Sequence, residues 1–236
     1  MYHNIGVPPL GARMKGLYVL PSMFCFQLWF LKKAGFRVVT ISEMLDCRDN
    51  NERLATLTFD DGYEDFYKNA LPLLEQYGYP ATVFVVSSLI GRSNLWDTAR
   101  YGGVSEPLMD LEQLREIRAR GIEIGSHSKT HADLTKLDTG SLTEEIEGSK
   151  RQLEGLLGPP IDLFCYPFGG YTPQAIEVVR KAGYRAALST KRGSFRVGDN
   201  PFEIRRIPVR LNTHPILFAY KVLSNYEDRR GRKGEA

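Results

Sequence analysis

Short runs of apolar, β-branched residues alternate along most of this chain with segments of helical periodicity, and this alternation is the feature that most constrains its fold. Six such runs predict buried strands: Val38–Ile41, Ala55–Phe59, Ala81–Val86, Ile122–Gly125, Leu163–Tyr166 and Ala186–Ser189. Strand–helix alternation of this length predicts parallel strands joined by right-handed crossovers. A closed barrel and an open doubly wound sheet both satisfy the pattern.

Capping residues, prolines and glycines mark the ends of five predicted helices. These helices run from Ser22 to Ala34, over Ala70–Tyr77, from Asp110 to Arg120, from Ser141 to Gly158-Pro159-Pro160, and from Thr172 to Ala182-Gly183. In barrels and open sheets alike, ligands bind at the C-terminal ends of the strands. Polar residues that directly follow a strand are therefore the first candidates for a functional site.

The composition predicts one soluble domain and excludes several classes of protein. Residues 1–226 are expected to form the domain and residues 227–236 a basic, frayed tail. A net charge of +3 does not predict a nucleic-acid partner. The three cysteines are odd in number and lack CxxC spacing, which argues against a disulfide framework and a thiolate zinc site.

No run of the sequence approaches the roughly 18–20 apolar residues that a transmembrane helix needs. The first 20 residues also lack the charged start and apolar middle of a secretion signal. As it stands, the chain is expected to be cytoplasmic. It is expected at the membrane surface or outside the cell if its N-terminus has been truncated.

Polar motifs follow three of the six predicted strands. Asp60-Asp61-Gly62-Tyr63 follows the second of the six, Ser126–His131 the fourth and Pro167–Tyr171 the fifth. Each motif alone has an ordinary explanation, since Asp-Asp-Gly is typical of turns and a spaced histidine pair of surfaces or caps. Their joint placement at the ends of strands indicates a functional site.

Two imidazoles four residues apart can face one point if the segment between them makes a helical turn. With one carboxylate oxygen, they form a three-ligand set that leaves a metal ion an open coordination position, which is typical of catalytic sites. Such an ion lowers the pKa of a bound water from about 15.7 to about 7 and polarises a carbonyl group. The second carboxylate of the pair is then available as a general base.

The segments Thr58-Phe59-Asp60-Asp61-Gly62 and His127-Ser128-Lys129-Thr130-His131 resemble the first two motifs of the polysaccharide deacetylases, carbohydrate esterase family four. Phe164–Gly169 resembles the third motif. The resemblance implies a single distorted (β/α) barrel with about seven strands. It also implies a divalent metal, usually zinc, held by Asp61, His127 and His131.

The family's mechanism assigns Asp60 as general base and the backbone N–H of Phe168 as a donor to the oxyanion. The expected substrate is an acetylated amino-sugar glycan or glycolipid. Four aromatic residues are candidates for contact with a sugar ring: Tyr63, Tyr166, Phe168 and Tyr171.

The chain departs from the family pattern at two points. Many relatives carry an arginine in the third motif that orients the base, and Cys165 occupies its place here. The general acid is also unplaced, and His214 and His3 are the candidates. Arg205 and Arg206 are expected to form exposed salt bridges. The long segment Ser88–Met109 is expected to overhang the site.

The leading hypothesis is therefore a metal-dependent carbohydrate N-deacetylase. The same motifs also serve O-deacetylases and cyclic amidases, and the sequence does not divide these activities. A barrel that binds glycans without catalysis is the alternative from a different class, because the arginine of the third motif is absent and the acid is unplaced.

Overall fold

The structure is a computed structural model that describes residues 1–47, 52–97, 104–158 and 160–234. Its α-helices are α1 (Pro21–Lys33), α2 (Ile41–Asp46), α3 (Leu71–Tyr77), α4 (Leu111–Ala119), α5 (Thr139–Thr143), α6 (Ser149–Leu157), α7 (Pro173–Lys181), α8 (Pro215–Leu223) and α9 (Tyr226–Gly234). Its strands are β1 (Asn4–Ile5), β2 (Tyr18–Val19), β3 (Arg37–Val38), β4 (Leu54–Ala55), β5 (Thr58–Phe59), β6 (Thr82–Val85), β7 (Glu123–Ser126), β8 (Leu163–Cys165), β9 (Ala186–Arg192) and β10 (Ile204–Arg206).

Six parallel strands form the main sheet in the order β10-β9-β8-β7-β6-β5. Residues 1–3 lie between its two edges. The Tyr2 amide donates to the Thr58 carbonyl at 2.8 Å, and the Met1 nitrogen donates to the Ile207 carbonyl at 2.9 Å. This segment takes a seventh position in the ring, and the predicted distorted barrel is confirmed.

The strands bury side chains on both faces, as the continuous apolar runs predicted. In β8, Phe164 packs in the large core under the helices, whereas Leu163 and Cys165 pack in a smaller cluster with Leu188 and Ile204. This period of two is what a strand requires. Because of this alternation, the inward-facing residues at the ends of neighbouring strands lie close to one another.

Two strand predictions need correction. The predicted strand Ala55–Phe59 is two strands, because β4 pairs with β3 in a separate two-stranded sheet while β5 joins the main sheet. The predicted strand Val38–Ile41 ends at Val38. Thr40 forms a capping box with Glu43 and begins α2, and this local signal overrides the β-branched run.

Two helix starts are confirmed and two are wrong. Asp110 forms a capping box with Gln113, and Thr172 caps α7. Helix α1 begins at Pro21, so the predicted cap Ser22 lies inside the helix. Asp138 replaces Ser141 as a cap, since its side chain accepts from the Ser141 amide. Pro159, in the predicted end of that helix, lies outside the described residues.

The basic tail was predicted to be frayed, whereas Tyr226–Gly234 forms helix α9. Glu227 and Asp228 anchor its first turn and are buried. Glu227 pairs with Lys221 at 2.6 Å, and Asp228 accepts from the Ser194 amide at 2.8 Å. The division into a domain of residues 1–226 and a tail stays a prediction. In the described parts of the chain, no helix has the length and apolar character to cross a bilayer.

Candidate active site

A cavity of about 350 Å³ lies at the C-terminal ends of the strands, as the architecture predicted. Its walls come from elements that are distant in sequence, including the segments after β5, β7 and β8 and the end of β9. Its lining comprises Met1, His3, Met14, Leu17, Asp60, Asp61, Trp96, Asp97, His127, His131, Tyr166, Phe168, Thr190, Arg192, Pro208, Val209 and Arg210.

Three side chains that the sequence singled out as metal ligands converge in this cavity. Asp61 Oδ1 lies 3.3 Å from His127 Nε2 and 3.2 Å from His131 Nε2, and all three residues are buried. In a tetrahedral site with metal–ligand distances of about 2.0–2.1 Å, neighbouring ligand atoms are about 3.3–3.4 Å apart. The measured separations match this spacing, so the donor set fits a divalent ion.

The ionisation of Asp61 also favours a metal site. Burial opposes ionisation of this carboxyl, but its contacts with His127 and His131 outweigh burial and hold its pKa well below the usual range. His127 Nδ1 lies 2.7 Å from the Cys165 carbonyl oxygen, which accepts hydrogen bonds only. The proton on Nδ1 therefore leaves Nε2 able to present its lone pair to a metal.

A second set of potential ligands, Asp60, His127 and Cys165, also converges among the described residues. It is less suited to a metal because a cation already occupies it. The Arg206 guanidinium contacts both oxygens of Asp60, at 2.6 and 2.8 Å, and lies 3.2 Å from Cys165 Sγ. A divalent ion there would face that guanidinium, so the set with Asp61 is the better metal site.

The backbone takes left-handed conformations at this site. Four non-glycine residues with positive φ occur in the described parts of the chain: Asp61 (74°), Ser128 (64°), His131 (63°) and Phe168 (58°). Such residues cost energy and cluster at functional sites. The turn at Asp61 and Gly62 (φ 77°) brings both neighbouring carboxylates to one cavity, as predicted.

The histidine pair lies on an irregular turn and not on the helical turn that the spacing suggested. Glu145 holds this turn. Its carboxylate accepts from the backbone of Lys129 at 3.0 Å and of Thr130 at 2.9 Å. The Ser128 hydroxyl also accepts from the His131 amide at 3.0 Å. Glu145 was missed because nothing local connects it to the motif.

Arg206 is the main residue that the sequence analysis misplaced. It was expected in an exposed salt bridge, but it is buried and forms a two-pronged ion pair with Asp60. Burial opposes ionisation of Asp60, and the charge and hydrogen bonds of Arg206 outweigh it, lowering the pKa of Asp60 to about 2. In many relatives an arginine of the third motif orients the base, and Cys165 occupies that position here. Arg206 lies where it can orient Asp60 in the same way.

The two candidate acids are separated by the structure. His3 lines the cavity, with Nε2 3.9 Å from Asp60 Oδ2, and burial lowers its pKa. His214 is exposed, does not line the cavity and caps α8, where Nδ1 accepts from the Leu217 amide at 3.4 Å. The prediction of His214 as a catalytic residue is wrong, because its side chain is used at a helix start.

Of the four aromatic residues that were predicted to contact a sugar, two line the cavity and two do not. Phe168 and Tyr166 line the cavity, and Phe168 is 37% exposed. Tyr63 is buried, with its hydroxyl donating to Asp97, and Tyr171 packs against Tyr166 with its hydroxyl donating to Glu203. Tyr63 and Tyr171 therefore lie behind the cavity surface, and this corrects the prediction that they contact a sugar.

Trp96 is an aromatic of the cavity that was not singled out as a sugar contact. Its ring stacks on His131 with centroids 4.3 Å apart, and Phe168 packs edge-on against the same imidazole at 4.6 Å. Trp96 and Asp97 belong to the segment Ser88–Met109 that was expected to overhang the site. The described part of that segment does form a wall, whereas residues 98–103 lie outside the described chain.

Comparisons with known proteins agree with this geometry. The family model described as polysaccharide deacetylase matches residues 48–187, more than half of the 236 residues. Bacillus subtilis YxkH, whose name assigns it to the polysaccharide deacetylases, is 26% identical over 213 residues, covering 89% of this chain and 70% of the relative.

A poly-beta-1,6-N-acetyl-D-glucosamine N-deacetylase of Staphylococcus aureus is 24% identical over 198 residues, covering 82% of this chain and 68% of the relative. Among solved structures, the Streptococcus pyogenes deacetylase PplD in complex with acetate has a TM-score of 0.81 at 25% identity, with 94% of this chain and 96% of that chain covered. IcaB from Ammonifex degensii has a TM-score of 0.77 at 25% identity and covers 94% of each chain.

Proposed function

The chain belongs to the polysaccharide deacetylase family, and on that premise we propose that it is a metal-dependent hydrolase that removes acetyl groups from N-acetylated sugars in a polysaccharide or glycolipid precursor. One observation carries the proposal. Two adjacent carboxylates share a cavity, Asp60 paired with a buried arginine and Asp61 placed between two imidazole nitrogens. This arrangement provides one carboxylate as a general base and the other as a metal ligand, which suits metal-assisted hydrolysis.

We propose that Asp61, His127 and His131 hold the metal. The donor set of one carboxylate oxygen and two imidazole nitrogens suits zinc, and three protein ligands leave a position open. When bound, the ion supplies an acidified water and polarises the acetamide carbonyl. The buried Cys165 carbonyl keeps the His127 ring in the tautomer that this role requires.

Asp60 is the proposed general base. Arg206 keeps its carboxylate ionised and fixes both of its oxygens, so the group enters each turnover able to accept a proton from the attacking water. The carboxylate is ionised at neutral pH, which is the state in which a general base can accept a proton. Arg206 acts through Asp60 and is a positioning residue.

His3 is the proposed partner of Asp60 in returning the proton to the leaving group. Its Nε2 lies 3.9 Å from Asp60 Oδ2, a separation that has to shorten when substrate is bound. Water adds its oxygen to the acetyl carbon, the bond from that carbon to nitrogen breaks, and the sugar nitrogen leaves with the proton. The products are acetate and the protonated amine of the sugar, which together account for both protons of the water.

The remaining walls are proposed to hold the sugar and the oxyanion. Phe168 lines the cavity with its backbone in a left-handed turn, and its N–H is the proposed donor to the carbonyl oxygen as negative charge develops there. Trp96 and Phe168 flank His131 and offer apolar faces to a pyranose ring.

A barrel that binds glycans without catalysis is the less favoured candidate. It was considered because the arginine of the third motif was absent and no acid was placed. Arg206 now pairs with the proposed base, and His3 lies beside it. Both observations favour catalysis over binding alone.

An acetate-release screen combined with metal analysis tests the proposed function. The protein would be stripped with a chelator, reloaded with zinc, and assayed on chitin oligomers, peptidoglycan fragments and acetylated xylan. We expect about one zinc per chain, acetate from the N-acetylated substrates, and loss and recovery of activity with the metal. Acetate release that survives complete metal removal would refute the proposal, and release from xylan alone would favour an O-deacetylase.

A further inference from the structure

The wall of the cavity formed by β9 and the segment after β10 carries two arginines that the reaction does not use. Arg192 ends β9, Arg210 follows β10, and both line the cavity. The proposed chemistry involves Asp60, Asp61 and the histidines on the other strand ends. These two cations are therefore available for another task within the same cavity.

Arg192 forms an ion pair with a buried glutamate, and a second cation shares that glutamate, so the group keeps a net positive charge. Its Nη1 lies 3.2 Å from Glu227 Oε2, and Glu227 is 1% exposed. The same carboxylate pairs with Lys221 at 2.6 Å, so one negative charge is shared between two cations. This triad carries a net charge of +1 behind the cavity wall. Lys221 also donates to the carbonyl of Pro208, a residue of the same wall, at 2.6 Å.

Arg210 completes the wall and is exposed. No carboxylate of the described residues lies within ion-pair distance of its guanidinium. Its backbone N–H donates to the Thr213 hydroxyl at 2.9 Å, and its carbonyl accepts from the Thr213 amide at 2.8 Å. An unpaired guanidinium in a concave site is a strong recognition group for carboxylates and phosphates, which it contacts with two parallel hydrogen bonds.

The other charges of the cavity do not cancel this wall. Asp60 is neutralised by Arg206, and Asp61 faces the proposed metal. Asp97 lies in the wall that also carries Trp96, and its carboxylate accepts from Tyr63 and Asn94. The wall of Arg192 and Arg210 is therefore the part of the cavity with uncompensated positive charge.

We propose that this cavity selects an anionic N-acetylated glycan, whose carboxylate or phosphate group near the scissile acetamide contacts Arg210 and Arg192. The inference rests on the proposed function and narrows its substrate class. It predicts that charge, and not only the acetamide, determines which glycan is used.

Three tetrasaccharides of equal length test it. One is the neutral tetra-N-acetylchitotetraose, the second alternates N-acetylglucosamine with N-acetylmuramic acid and carries carboxylates, and the third is the neutral chain bearing a 6-phosphate. We expect kcat/KM about 10- to 100-fold higher for at least one anionic substrate than for the neutral one. The anionic arm that responds identifies the group. Equal kcat/KM values on all three would overturn the inference.

The variant Arg210→Gln tests whether Arg210 is responsible for the preference for anionic substrates. Since Arg210 is exposed, its replacement leaves the ion pair of Arg192 with the buried Glu227 in place. We expect kcat/KM to fall at least about ten-fold more for the preferred anionic substrate than for the neutral one. Arg205→Gln is the matched control, because Arg205 is an exposed arginine of β10 that does not line this cavity. A uniform fall on all substrates would contradict the role of Arg210.

Binding by calorimetry with metal-free protein separates this inference from the proposed function. If no substrate releases acetate, the proposed function fails. A Kd at least about ten-fold lower for an anionic tetrasaccharide, lost in Arg210→Gln, would still support the charge selection. The preference should weaken as salt rises, since the screening length falls from about 30 Å at 0.01 M to about 3 Å at 1 M. A Kd equal for all three would overturn it.

Discussion

Asp60 and Asp61 are neighbours in the chain and are both buried, yet the fold gives them opposite partners. Asp60 contacts the permanent cation Arg206 through both oxygens, while Asp61 faces two imidazole nitrogens. An imidazole is positive only when both of its nitrogens are protonated, and in its neutral form it can donate a lone pair to a metal. The protein thus supplies the counter-charge of one carboxylate and leaves the other to bind an ion. This difference supports the proposed roles of Asp60 as base and Asp61 as metal ligand.

The largest expected effect comes from removing a ligand on the Asp61 side. In His127→Ala, we expect zinc binding to be lost and acetate release to fall at least about 10⁴-fold, because a water without the metal has a pKa of about 15.7 in place of about 7. Metal content and acetate release measure this. His214→Ala is the control and should change neither by more than about two-fold. Acetate release that persists in the metal-free variant would break the comparison.

Replacing Asp60 should separate the role of the base from that of the metal ligands. In Asp60→Asn, we expect acetate release to fall about 10²- to 10⁴-fold while zinc content stays near one per chain, since the ligands are untouched and only the base is lost. The measurement is activity together with metal stoichiometry on the same sample. If zinc is lost together with activity, Asp60 belongs to the metal site and the division of roles is wrong.

Removing the permanent cation tests why Asp60 stays ionised. Arg206→Met leaves a buried carboxylate without its partner, and we expect a loss of about 3–5 kcal/mol in the free energy of unfolding. Arg205→Met, on the exposed side of the same strand, should cost about 0.5 kcal/mol or less. Equal losses from the two variants, measured by denaturant unfolding of metal-free protein, would contradict the burial of this pair.

The same variant has a pH signature. The pKa of Asp60 is about 2 in the folded protein and about 3.9 when unfolded, so its contribution to stability is complete above about pH 4 and is lost as the pH falls toward 2. Without Arg206, burial raises this pKa and the loss should disappear. The difference between the unfolding free energies of wild type and variant should therefore shrink on acidification from pH 4.

The smallest expected effect concerns Cys165, which belongs to the second possible ligand set. In Cys165→Ala, we expect zinc content and acetate release to stay within about two-fold of wild type, with a stability loss of about 1 kcal/mol from the small cavity left behind. Metal analysis of the purified variant decides the matter. A marked loss of zinc would mean that the ion sits with Asp60, His127 and Cys165 instead.

Much of the site was predictable because its motifs are local. Asp60, Asp61, His127 and His131 were identified as polar residues directly after strands, and parallel strands bring such positions to one edge. Four of the six apolar runs correctly predicted strands of the main sheet, β6 to β9. The strand β10 was not predicted, because Ile204, Arg205 and Arg206 form a run too short and too charged to be distinguished from a loop.

Other predictions failed where one local signal competed with another. Ser141 and Asp138 both offer a capping side chain, and the structure uses Asp138. Tyr63 and Tyr171 were as close to the motifs as Phe168, but their hydroxyls are engaged by Asp97 and Glu203 in the walls. Sequence proximity to a motif does not determine which way an aromatic ring points.

The sequence by itself determined the alternation of parallel strands with helices and the strand ends that carry the polar motifs, because these depend on periodicity and on residue types at short range. The choice of a closed barrel over an open sheet came from the resemblance to the polysaccharide deacetylases. Only the tertiary structure decided that Arg206 pairs with Asp60, 146 residues away, that His3 and not His214 lies beside it, and that Glu145 holds the histidine turn. Such contacts depend on how distant strands meet when the barrel closes. That geometry is set by the packing of the whole chain and is not encoded in any short segment.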